Sequence, residues 1–219
     1  MNNFFINRLR TISIAELPYR IKQKINNKLE EKLYHNKAAT PLQLGTVKRV
    51  LEARLDNSGI HSHTVNVFGK WVDYEKIRSA DWHRDIFSEK SFPISFSKKI
   101  NIRKDQDLSA KCVWEINRLQ FLVEIAIKYQ QSGNINELNQ FIKIIRSWKE
   151  SNPYLRGVNW YSNIEVNLRL ITWFLCWEVL NADKLVKQNT NFRSFVTDDW
   201  LPLIYQHCVY SHKNPSRYS

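Results

Sequence analysis

Apolar residues return every three or four positions over most of the chain, which is the period of a helix with one buried face. Over 12–36 the stripe is Ile14, Leu17, Ile21, Ile25, Leu29 and Leu33. Ser13 and Glu16 have capping-box spacing, and Ile12 with Leu17 fits a hydrophobic staple. Pro18 lies near the start, where it breaks one backbone bond and can kink the helix. The stripe is expected to pack against the domain, with a helix lying on a membrane surface as the alternative. Residues 37–60 form a polar connector with room for a short helix at 46–55.

The pattern changes over 61–104. HTVNVFGKWVDY and FPISFSKKINI are short β-branched and aromatic runs punctuated by Gly69 and Pro93, predicting short strands or extended loops. The helical period resumes at residue 107. A first helix is expected over 109–131, carrying Trp114, Phe121, Leu122, Ile125 and Tyr129 and capped by Gly133. A second runs over 135–150, with Asn134 and Glu137 at capping-box spacing and a stripe of Leu138, Phe141, Ile142 and Ile145, until Asn152 and Pro153 stop it. A third, over 163–181, is apolar nearly all round and is expected to be buried on most sides. Ser162 and Glu165 form its capping box. A fourth lies within 190–214, kinked or restarted by Pro202. Helix pairs in series with short links fit an array of helical hairpins.

Composition adds aromatics and charge. Eight Trp, nine Tyr and eleven Phe can fill a large core or line a sugar groove. The net charge of +12 favours polyanions: nucleic acid, anionic membrane or acidic polysaccharide. No nucleic-acid motif is present, so nucleic acid ranks last. Cys112, Cys176 and Cys208 make neither a disulfide framework nor a zinc spacing and are expected to be buried free thiols. His61 and His63 alternate as on a strand but have no third ligand, so no metal and no cofactor is expected. No apolar run reaches a membrane span. The first residues lack an apolar core and a cleavage site, so no signal peptide is read and the compartment stays open.

Two segments gather candidate chemistry. In NPYLRGVNWYSNIEVNLRLITW, residues 152–173, a turn at Gly157 delivers Asn159 and Trp160 just before a helix start, an end that suits an anion. Asn159 can donate and accept, and Trp160 can stack on a sugar. Glu165 and Arg169 share one helical face, as ligands or as a structural ion pair. In KCVWEINRLQFL, residues 111–122, Trp114, Asn117 and Arg118 put aromatic and polar groups on a core-like helix. Arg118 could meet a carboxylate bidentately or be satisfied by a neighbouring Glu. His207 and His212 lie on the last helix, His207 reading as a satisfied core histidine.

In that order, DWHRDI, KCVWEINRLQFL, NPYLRGVNWYSNIEVNLRLITW and YQHCVYSHKNPSRYS resemble the amino-terminal domain of heparinase II/III-like polysaccharide lyases, over roughly residues 65–219. The resemblance implies a mainly α fold, an incomplete α/α toroid of helical hairpins with a short strand or loop region near 61–104. Residues 1–60 precede it as a basic helix and connector. It implies β-elimination at a uronic acid, in which an Asn or His neutralises the carboxylate, a Tyr or His acts as base and a Tyr as acid. In the family the neutralising Asn follows a segment like SRYS, in an Asn-Asn-His motif. By the resemblance this chain ends ahead of it and is an amino-terminal fragment, inactive alone, without the carboxy-terminal β-sandwich. Tyr218 and His212 do not occupy the family's base and acid positions. Asn159, Trp160, Glu165, Arg169, Trp114, Asn117 and Arg118 are then expected to line a groove for acidic polysaccharide. A non-enzymatic helical module that binds acidic glycans is the alternative. The resemblance points to the periplasm, the missing signal peptide to the cytoplasm.

Overall fold

The computed structural model of the protein describes residues 16–33, 63–77 and 79–215. The expectations for the connector, its short helix, the Ser13 cap, His61 and Tyr218 lie outside them. The described chain is mainly helical.

Helix α1, Glu16–Leu33, carries Pro18 in its first turn, where the missing N–H has no intrahelical partner to lose. A hairpin follows, β1 Thr64–Val67 and β2 Lys70–Asp73, antiparallel with Val67 opposite Lys70. Its two-residue turn, Phe68 and Gly69, has both φ values positive, as a twist-compatible tight hairpin requires. FPISFSKKINI adds no strand. It makes an isolated bridge from Phe96 to Arg156 and a 3₁₀ turn, Ser97–Lys99.

The helix expected over 109–131 is two helices, α2 Ala110–Asn117 and α3 Phe121–Ser132. Leu119 breaks it with φ 58 while fully buried. Local propensity gives no hint of this break. Core packing holds a leucine in a conformation that costs about 1–2 kcal/mol. Gly133 caps α3 in the left-handed conformation, and Asn134 caps α4, Ile135–Ser151, by accepting from the Asn136 N–H. The α4 stripe is buried as expected: Leu138, Phe141, Ile142 and Ile145, joined by Trp148.

Helix α5, Asn163–Leu180, corrects the expectation of near-complete burial. Val166, Trp173, Cys176 and Leu180 are buried, but Ile164, Ile171, Phe174 and Leu175 are exposed. Ser162 makes no side-chain cap. A short α6, Ala182–Gln188, was not read from the sequence. The last expected helix is α7 Thr190–Phe195, a π turn Val196–Trp200 and α8 Leu201–Lys213. Pro202 sits in the first turn of α8, so its missing donor is met by a widened turn rather than a stop. Helix α3 packs against α4 and α5, and α5 against α8. Their shared core is aromatic, with Trp82, Trp148, Trp160, Trp173 and Trp200 all sealed. No helix among the described residues is long and apolar enough to cross a membrane.

Candidate functional site

Asn159 sits in a 3₁₀ turn, Val158–Trp160, immediately before α5. Gly157 opens that turn at φ 79, and a Cβ there would come 2.4 Å from Cε1 of His83. Only glycine therefore lets the turn close over the His83 ring. His83 Nε2 donates to the Ser151 carbonyl at 2.8 Å.

The turn drives Asn159 into the core. Its Nδ2 lies 2.9 Å from the Trp82 carbonyl and 2.8 Å from Oδ1 of both Asn117 and Asn152. Asn117 Nδ2 donates to the carbonyls of Trp82 and Val113, and its Oδ1 accepts from Trp148 Nε1. Asn152 donates to the Trp148 carbonyl, and its own carbonyl accepts from Trp160 Nε1. Asn117, Asn152 and Asn159 are each at most 1 % exposed. Asn117 stands at the broken end of α2, so one amide stitches the break to the 3₁₀ turn holding Trp82 and to α4.

Arg169 closes the network from α5. It is fully buried, and burial lowers its pKa to about 9, with the nearby Glu165 charge opposing the fall. Its Nη2 donates to the Asn159 carbonyl at 2.6 Å and its Nε to His207 Nε2 at 3.0 Å, with the guanidinium 4.8 Å from the Trp148 ring centre. His207 Nδ1 faces the Leu203 carbonyl at 2.9 Å. A carbonyl can only accept, so Nδ1 carries the proton and Nε2 accepts from Arg169. Burial, reinforced by the Arg169 charge, holds the His207 pKa well below its ordinary value. The imidazole is neutral, which allows an arginine beside it.

Glu165 does not pair with Arg169. It takes Arg118 bidentately, Nε to Oε2 at 2.8 Å and Nη2 to Oε1 at 3.1 Å, while Arg118 Nη1 donates to Glu115. Two carboxylates thus flank one guanidinium and take three of its five N–H groups. Trp114 donates to the Val158 carbonyl and stacks on Tyr161 with ring centres 6.4 Å apart.

The seven predicted residues do come together, but not as a groove. Asn159, Trp160, Arg169, Asn117 and Glu165 are buried, and only Trp114 and Arg118 are partly exposed. The helix that was expected to turn its polar groups into a cavity instead turns them into a polar core, where they hydrogen-bond to one another and to backbone carbonyls while Asn159 Oδ1 and Arg169 Nη1 have no hydrogen-bond partner among the described residues. A direct contact between Arg169 and a polysaccharide carboxylate is incompatible with this burial. Asn152, Trp82 and His83 complete the network and were not singled out from the sequence. Nothing marks a backbone carbonyl acceptor such as that of Trp82 in a residue pattern.

Concavities lie elsewhere. One, of about 450 Å³, is lined by Tyr19, Lys22, Asn26, Glu30, His212 and Lys213, and an open cleft of about 1080 Å³ includes Lys76, Arg84, Asn139, Lys143 and Arg146. None of the seven lines either. Cys176 is buried, Cys112 partly and Cys208 exposed, which corrects the expectation of three buried thiols. Among the described residues no group of three His, Cys, Asp or Glu side chains is placed to hold a metal ion. His63 pairs with Glu75 at 2.9 Å. Comparison with protein-family models, curated proteins and solved structures found no match.

Proposed function

We propose that this chain is the amino-terminal helical part of a uronate-polysaccharide lyase of the heparinase II/III type, that it forms part of the wall of an α/α toroid, and that it performs no β-elimination alone. One observation supports this reading above others. The four segments that carry the resemblance all feed one buried network: Trp82 from the first, Asn117 from the second, Asn152, Asn159 and Arg169 from the third, His207 from the fourth. Residues far apart in the chain meet there, so the packing of this chain depends on all four segments at once.

The chemistry divides accordingly. β-elimination requires a group that neutralises the uronate carboxylate, a base for the C5 proton and an acid for the leaving oxygen. Asn159 is engaged on every hydrogen of its amide, Arg169 is sealed, and Arg118 already faces two carboxylates. These residues position the helices; they do not touch substrate. The exposed apolar face of α5, Ile164, Ile171, Phe174 and Leu175, offers a further helical layer of the toroid a surface to pack on.

The test is turnover. Purified chain incubated with heparan sulfate, alginate and other uronate polymers is expected to release no unsaturated uronate by absorbance. Sustained product formation on any of them would show that the reacting groups are already in this chain and contradict the scaffold reading.

A further inference from the structure

Helix α1 meets the body of the protein with its polar side. Glu16 and Glu30 are its buried residues, the Tyr19 hydroxyl donates to the Pro215 carbonyl at 2.5 Å, and Glu31 pairs with Lys99. The stripe expected to pack inward faces solvent instead: Leu17, Ile21, Ile25, Leu29 and Leu33 are 49–62 % exposed. The remaining exposed positions of the helix are Pro18, Asn26 and four lysines, Lys22, Lys24, Lys28 and Lys32. The outward face therefore bears five aliphatic side chains, four cations and no carboxylate. All three acidic residues are held elsewhere, Glu16 by Arg20, Glu31 by Lys99, and Glu30 in the field of Lys213 and Lys98.

We infer that the outward face of α1 docks on an anionic lipid bilayer, with the helix lying in the plane of the interface. Charge complementarity and the arrangement of the face select this partner. On an α-helix at 100° per residue, Lys28, Lys32 and Lys22 fall between the aliphatic residues and Lys24 flanks them beside Leu17, so the cations do not form a separate side. The core of a protein–protein interface is depleted in lysine, because each ammonium would be desolvated without a partner. A second copy would bring lysine against lysine. A bilayer surface accepts both groups: aliphatic side chains enter the boundary of headgroups and acyl chains, while lysine stems lie along it and their ammonium groups reach the phosphates. The 18-residue helix presents this face over about 27 Å. Docking needs no rearrangement of the body, since the opposite side of α1 is already attached to it. The inference does not depend on the polysaccharide reading.

The test is co-sedimentation of the whole chain with vesicles of phosphatidylcholine alone and of phosphatidylcholine with phosphatidylglycerol at 3:1. Binding to the anionic vesicles at least tenfold tighter is expected. Lys24→Gln/Lys28→Gln is expected to weaken it about fivefold per lysine and to flatten its salt dependence. Ile21→Gln/Ile25→Gln alters exposed positions, so its circular dichroism and melting temperature stay those of the parent, while binding falls at least tenfold. Absence of sedimentation with anionic vesicles overturns the proposal. So does undiminished binding by the Ile21→Gln/Ile25→Gln variant, which would mean that the lysines act on any polyanion. A concentration-dependent dimer that the same variant disperses would assign the face to a second copy instead.

Discussion

His207 and His83 carry the clearest pH response in the molecule. Burial lowers the pKa of each below the ordinary 6.5, for His207 with help from Arg169. A depressed folded pKa means that the unfolded chain binds the proton first. Stability is therefore complete above about pH 6.5 and falls as pH drops below it, by up to about 1.4 kcal/mol per pH unit for each histidine. Urea midpoints are expected to decline between pH 6.5 and 4.5, before most carboxylates titrate. His207→Gln, which cannot titrate, should be less stable at pH 7.5 but show a shallower decline. A flat parent profile across that window would mean that the imidazoles are not sealed. The types of the network residues were legible in the sequence, and so was the nearness of Asn159, Trp160 and Arg169. Their direction was not. Asn and Arg before and within an apolar helix fit a groove or a satisfied core equally well. The decision rests on partners such as the Trp82 carbonyl and Asn152, brought from 77 and 7 residues away.

At the scale of elements, helices with a single apolar stripe were predictable, and α4 matches its stripe and bounds closely, although Asn134 caps it through the Asn136 N–H and gives its own N–H to Ser132, so the expected box with Glu137 does not form. The breaks were less so. Leu119 interrupts the helix before α3 because buried packing outweighs its aversion to positive φ, and neither glycine nor proline marks the place. Asn181 takes the left-handed conformation between α5 and α6 at φ 48, ψ 52. Replacing it with glycine removes a Cβ penalty at a site where the turn is already made. Asn181→Gly is expected to raise stability by about 0.5 kcal/mol in urea denaturation. A loss would show that the Asn181 side chain contributes more to this junction than its backbone conformation costs. Period alone also misjudged two faces, those of α1 and α5. It counts apolar residues on a side but does not know which side has a neighbour.

The whole molecule combines a tightly knit aromatic and polar interior with a net charge of +12 and two outward apolar faces. Mainly helical character followed from the 3.6-residue period; the β-branched run around Gly69 predicted only short strands or extended loops, and the structure pairs Thr64–Val67 with Lys70–Asp73 as a hairpin. The arrangement of the helices rests on the buried network, which joins the 3₁₀ turn holding Trp82 to α2, α4, α5 and α8 through single side chains. Arg169 joins α5 to both Asn159 and α8 within that network. Arg169→Ala would leave the Asn159 carbonyl and His207 Nε2 without their donor, and would open a cavity against Trp148. The expected cost is about 3–5 kcal/mol. Urea denaturation of the parent and of Arg169→Ala under the same conditions measures it. A large drop in midpoint is the predicted result. An unchanged midpoint would contradict the account, because it would mean that Arg169 does not hold these helices together.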